Sequence, residues 1–312
     1  MLRIFIFAVV LILTSNIYSQ NLQAVKDLNE RGLQRFQKGN YEEAITDFSR
    51  GIELTSRFKT NVNALRNNFD GDAESSDEAA LRDRVRVTDP RTAILYLNRG
   101  NVFFSIGDLD KAISDYDQAL SISPGMAAAY HCRATAWLIK KDYDRAIADY
   151  NKALKIDPKF AKGYVGRGLV RLDMGDIHAA FEDFEQAIKA DPKSAEAYSY
   201  RGDARRQTGD TAGALADFEY AMTLDPDLAN PYLGRGGLHF RNKDFDGAIQ
   251  DYTKAIELDG RLANAYASRG YALLIQGKEQ EAQKDLSRAI TMAPRMREEI
   301  EATIQKIKSW RQ

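Results

Sequence analysis

Six of the seven prolines, Pro90, Pro124, Pro158, Pro192, Pro226 and Pro294, share one phase of a 34-residue period, with Gly260 in the vacant slot and Pro231 alone out of step. A helix breaker recurring at that interval marks one supersecondary unit copied along the chain, because each copy must stop its helix at the same place. With the phased proline as position 32, the units begin at Ala93, Ala127, Ala161, Ala195, Ala229 and Ala263. Other columns then fall into register. Position 4 is tyrosine in all six units (Tyr96, Tyr130, Tyr164, Tyr198, Tyr232, Tyr266), and position 7 is arginine (Arg99, Arg133, Arg167, Arg201, Arg235, Arg269). Position 8 is Gly100, Ala134, Gly168, Gly202, Gly236 and Gly270, and position 20 is always alanine. Position 23 is aspartate throughout (Asp115, Asp149, Asp183, Asp217, Asp251, Asp285), followed at 24 by Tyr116, Tyr150, Phe184, Phe218, Tyr252 and Leu286.

Within a unit, positions 4, 8 and 11 share one helical face, a break such as Gly107-Asp108 or Gly175-Asp176 follows, and 20, 24 and 27 share another. The pattern predicts a helical hairpin per unit. The small residues at 8 and 20 are expected to face each other, letting the axes approach to roughly 8–10 Å, with the aromatics at 4 and 24 as core beside them. Tyr164→Ala is accordingly expected to cost about 3–5 kcal/mol. The arginine and aspartate columns predict ion pairs across packed helices, with the partner of each arginine left open.

Together these columns resemble the tetratricopeptide repeat, over residues 93–296 in six units: 93–126, 127–160, 161–194, 195–228, 229–262 and 263–296. A degenerate seventh unit, 25–58, carries Arg31-Gly32 and Asp47-Phe48 in phase, with Leu28 for the tyrosine and Ser56 for the proline. The resemblance implies an all-α fold, a right-handed solenoid of stacked hairpins. Residues 297–312 continue the register with Ile300, Ile304, Ile307 and Trp310 and predict a terminal capping helix. One departure concerns position 11, usually aromatic in the family: it is Phe103 and Trp137, then Arg171, Arg205 and His239, so packing between hairpins is expected to differ there.

Residues 59–92 have the length of a unit without its columns and read as an acidic and mixed insert. Phe58, Val62, Leu65 and Phe69 predict either a continuation of the preceding helix or a new one before Asp70. Asp70, Asp72 and Glu74 alternate as a calcium loop begins, but Ser75 replaces its glycine and Leu81 its closing glutamate, so a solvated linker is the better reading. At the N-terminus, Arg3 and the apolar run Ile4–Leu13 read as a secretory signal over 1–19, with mature chain from near Gln20, exported to the periplasm or secreted. No other segment is apolar enough to span a membrane as a helix.

The chain has 44 basic and 45 acidic residues, which disfavours nucleic acid as a partner, since that needs a basic stripe to displace counterions. One cysteine, Cys132, makes no intramolecular disulfide, and His131, His178 and His239 lie at different repeat positions, too dispersed for a shared metal or base. No catalytic constellation or cofactor motif emerges, and the reading is of a non-enzyme without cofactor.

The resemblance implies a concave surface lined by the first helix of each hairpin, which binds a protein or peptide. Positions 2, 5, 9 and 12 lie away from the packed face; among them Leu97, Asn101, Phe104, His131, Thr135, Leu138, Val165, Leu169 and Leu172 form a largely apolar strip, and Ser199, Asp203 and Arg206 turn polar. The family's lysine and asparagine clamp for terminal carboxylates is not evident, so a chaperone tail is not the expected ligand. An envelope assembly subunit, self-associating through its ends, is the alternative.

Overall fold

The computed structural model describes residues 21–67 and 90–311, with side chains over 21–57 and 90–309. The stretch read as a signal, the calcium-like stretch and most of the insert lie outside the described residues. The chain divides into two compact units, Met1–Pro158 and Lys159–Gln312.

The first unit contains α1 (21–37), α2 (Tyr41–Asn67), α3 (Pro90–Ser105), α4 (Leu109–Ile122), α5 (Ala127–Ile139) and α6 (Tyr143–Ile156). The second contains α7 (Ala161–Asp173), α8 (Ile177–Ala190), α9 (Ala195–Thr208), α10 (Thr211–Leu224), α11 (Ala229–Arg241), α12 (Phe245–Leu258), α13 (Ala263–Ile275) and α14 (Glu279–Met292). A 3-10 turn, Pro294–Met296, then leads into α15 (Arg297–Arg311). Among the described residues there is no strand, and within each unit consecutive helices pair as hairpins stacked on their neighbours, an all-α solenoid arrangement.

Local chemistry sets each hairpin's ends. Asp108, Asp142, Asp176, Asp210 and Asp244 cap the second helices, each side chain accepting from the backbone N–H three residues on. The residue before each cap adopts the left-handed conformation, which glycine takes without steric cost at Gly107 and Gly175; Lys141 and Lys243 are forced into it at φ 60° and 63°. At the far end the residue before the phased proline is extended, as at Asp157 and Asp191, because the proline ring disfavours helical geometry there.

The helix α2 is continuous through Asn67, which decides between the two readings of Phe58–Leu65 in favour of continuation. The helix α3 packs directly on it: Leu95 and Val102 join Val25, Ala44 and Phe48 in one core, and Asn98 Nδ2 donates to Asn29 Oδ1 at 2.8 Å. The hairpin of 25–58 and that of 93–126 thus stack as sequence neighbours would, although more than thirty residues separate them.

Two packing expectations change. Position 8 meets the ring at 24 rather than chiefly the alanine at 20: a Cβ on Gly168 would come within 2.6 Å of Phe184, and one on Gly202 within 2.7 Å of Phe218. Those rings are the core, both fully buried. The tyrosines at position 4 are only half-buried, and Tyr96, Tyr130, Tyr164, Tyr198 and Tyr266 stack with the arginine at 7, as Tyr96 with Arg99 at 5.4 Å and Tyr164 with Arg167 at 5.6 Å. They cover a charge instead of filling a cavity. Tyr164→Ala is therefore expected to cost about 2 kcal/mol, half a core truncation plus a cation–π contact, and a loss above about 3 in denaturant titration would restore the core reading.

The ion pairs form within each hairpin. Every arginine at 7 meets the aspartate sixteen residues later: Arg31–Asp47, Arg99–Asp115, Arg133–Asp149, Arg167–Asp183, Arg201–Asp217, Arg235–Asp251 and Arg269–Asp285. Nε and Nη2 form the fork, at 2.7 Å each in Arg99. The remaining nitrogen, Nη1, reaches back to position 25 of the preceding hairpin: Arg99 to Ser49 at 2.9 Å, Arg133 to Asp117, and Arg269 to Thr253 at 3.1 Å. One guanidinium thus closes its own hairpin and ties it to the one before.

The departures at position 11 have a local cause. Where it is Arg35, Arg171 or Arg205, the side chain adds a second guanidinium to the same aspartate, at 2.7, 2.8 and 2.9 Å. Where it is aromatic, a cation from position 19 covers the ring instead: Lys111 over Phe103 and Arg145 over Trp137. Position 19 is small, Ala179 or Gly213, where Arg171 and Arg205 also donate to its carbonyl. The substitution is balanced in part inside the hairpin, and Arg205 also lies over the Phe181 ring of the preceding one at 5.7 Å. Arg31, forming a side-chain hydrogen bond with Asp47, and Arg35 beside it hold that carboxyl below the usual carboxylate range.

The last hairpin is closed by α15. Ile300 and Ile307 are buried against Ala267, Leu286 and Ala289 and against Leu273, Leu274 and Ala282, with half-buried Ile304 between them. The exposed positions include Glu298, Glu299, Glu301, Lys306 and Lys308, as a cap facing water requires.

Candidate functional site

In the first unit, α3 and α5 are neighbouring first helices in contact. Leu97 packs against Ala93, Ala119 and Ala129, and Phe104 against Ala112, Ile113 and Ala136, each remaining half-buried with part of its surface open. Leu138 is half-buried, and Ile94 and Ile139 are exposed at 41% and 54%. The polar members of the strip are engaged internally. Asn101 Oδ1 accepts from the Tyr116 hydroxyl at 2.9 Å, and Thr135 Oγ1, which donates to the His131 carbonyl, lies 3.0 Å from the Tyr150 hydroxyl. His131 packs its ring on Tyr150 at 5.7 Å. Burial pushes the Tyr150 phenol up to about 12, so it remains a neutral donor.

The second unit differs. Val165 and Ser199 are buried, so they present no surface to a ligand. Leu169 and Leu172 are half-buried against Ala180, Phe184 and Ala204. Asp203 and Arg206 pair one turn apart on α9 at 3.1 Å. Around them are further groups: Tyr200, stacked on Phe184 at 5.8 Å, accepts from Asn230 Nδ2 at 3.2 Å, and Arg241 donates to the Arg206 carbonyl at 3.4 Å. Sequence reasoning had position 2, that of Asn230, on the open face and missed Tyr200 at 6 and Arg241 at 13; the signal available was an aromatic at 6 found only in this hairpin of the array.

Among the described residues no three His, Cys, Asp or Glu side chains are grouped as a metal ion would require, and no helix is long and apolar enough to cross a membrane.

The comparisons agree with the hairpin geometry. Sequence profiles described as tetratricopeptide repeat match residues 93–126, 165–229 and 233–296, and one described as TPR repeat matches 135–175. The chain belongs to the tetratricopeptide repeat family.

Solved structures share its fold. A tetratricopeptide repeat protein from Parabacteroides merdae superposes with a TM-score of 0.63 at 21% identity, over 92% of this chain and 99% of that one. PilF of Pseudomonas aeruginosa gives 0.57 at 18%, over 70% and 96%. A thermophilic TPR protein of Thermus thermophilus gives 0.53 at 20%, over 58% and 99%. No curated protein sequence matches the chain. The tetratricopeptide repeat fold fits a protein-interaction scaffold, and the first-helix faces are where such a scaffold has surface to offer.

Proposed function

We propose that this tetratricopeptide repeat protein is a non-enzymatic scaffold that binds a peptide or protein segment along its first-helix faces, acting outside the cytoplasm. The observation that carries the reading is the partly open apolar surface of Leu97, Phe104 and Leu138 beside exposed Ile94 and Ile139. Side chains that pack on one flank and keep the other open supply anchors for apolar residues of an extended or helical segment. Export rests on the N-terminal run Ile4–Leu13. End-to-end assembly has less in its favour, since α15 turns a charged face outward at the C-terminal end.

The test is crosslinked capture from the extracellular or periplasmic fraction, comparing the native chain with Leu138→Asp and Leu172→Asp variants. Both are expected to keep their helicity by circular dichroism and to lose about tenfold or more in capture, as when a charge is placed on an interface anchor. Undiminished capture by the folded variants would move the site off these faces.

A further inference from the structure

Position 9 of the first helices is Leu33, Asn101, Thr135, Leu169, Asp203, Gly237 and Tyr271, and Asp203 is its single charge. Where position 9 is Asn101 or Thr135, its side chain bonds to the hydroxyl of the ring at 24. In the hairpin of Asp203 that ring is Phe218, which has no hydroxyl to offer. The carboxylate therefore lacks the structural duty of its counterparts, although its side chain is only 25% exposed.

Its bonding is also half complete. Both contacts from Arg206, 3.1 Å from Nη2 and 3.4 Å from Nε, fall on Oδ1, and no donor among the described residues reaches Oδ2. Burial pushes the Asp203 carboxyl above its ordinary value, against the pull of Arg206, so the single cation does not offset the lost hydration. One turn earlier on the same face, the buried Ser199 Oγ has no hydrogen-bond partner. Space is available at position 9 of the next first helix, where Gly237 has no side chain and a Cβ would find its nearest neighbour, the Tyr252 hydroxyl, 4.0 Å away.

Elsewhere in this chain the buried aspartates of position 23 are bonded on both oxygens by the fork of their own arginine, and some take a second guanidinium as well. Asp183 has Arg167 on both oxygens and Arg171 on Oδ2, and Asp217 has Arg201 on both and Arg205 on Oδ2. Asp203 has one cation on one oxygen and lacks, among the described residues, a donor for the other. We infer that Asp203, open on the α9 face beside Gly237, receives a basic side chain of the bound segment, arginine or lysine, as its second cation. An acidic residue fits poorly there, since it would compete with Asp203 for Arg206 and then face the displaced carboxylate.

The inference rests on the proposed first-helix binding surface, and selection from a random twelve-residue peptide display library tests the two separately. The native protein is expected to enrich peptides with arginine or lysine at a fixed spacing from an apolar residue. Asp203→Asn, which removes a costly buried charge and keeps its fold by thermal melting, is expected to lose that enrichment and to bind the selected peptide about tenfold more weakly in fluorescence anisotropy. Selection without basic residues, selection of acidic ones, or a basic preference unchanged in Asp203→Asn would overturn the inference while leaving the surface in place. If the native protein enriches no peptide, the surface reading falls and the inference with it.

Discussion

Asp183→Ala is expected to destabilise the second unit by about 3–5 kcal/mol, the cost of breaking a buried ion pair by removing one partner. Asp183 is 1% exposed, with Arg167 bonding both oxygens and Arg171 bonding Oδ2 at 2.8 Å. Alanine leaves two guanidiniums facing a cavity they cannot share. The informative comparison is Asp149→Ala in the first unit. That change affects Arg133 alone, which keeps Asp117, a residue half open to water. A loss about 1–2 kcal/mol smaller is expected there, since a half-exposed partner still compensates the charge. Urea titration of both variants decides it: equal losses would mean that the second guanidinium contributes nothing to the hairpin.

That comparison also shows how far the sequence could be read. The 34-residue columns carried the hairpin, the Gly-Asp break between its helices and the existence of an arginine–aspartate ladder, because each depends on residues close along the chain or repeated in every copy. Which aspartate each arginine meets was not legible, since a sixteen-residue separation across a turn depends on the relative rotation of two helices. Position 11 was legible as a change and not in its cause, for a related reason. Arg171 and Arg205 look like losses of an aromatic until the compensating change at position 19, from Lys111 and Arg145 to Ala179 and Gly213, is seen on the facing helix. The candidate surface was legible only in outline. A helical wheel puts Val165 and Ser199 beside Leu169 and Asp203, but Val165 packs against Ala197 of the next first helix, and both side chains are buried.

Deleting residues 297–312 is expected to have the other large effect. Ile300 and Ile307 are fully buried, and each such side chain contributes about 1.5–3 kcal/mol by leaving water, so the helix supplies about 3–6 kcal/mol to the last hairpin. The consequence reaches beyond the lost contacts. Leu273, Leu274 and Leu286, together with Ala267, Ala282 and Ala289, would lose the side chains of α15 that cover them and pass from core toward surface as an apolar patch. A repeat array transmits that loss to its neighbours only through nearest-hairpin contacts, so the terminal hairpin should fray before the rest of the second unit. Hydrogen exchange is expected to show protection lost first in residues 263–292. Light scattering should show concentration-dependent association of the truncated chain through the uncovered patch. Retained protection and an unchanged scattering mass would mean that α15 is an appendage and that the hairpin of α13 and α14 closes its own core.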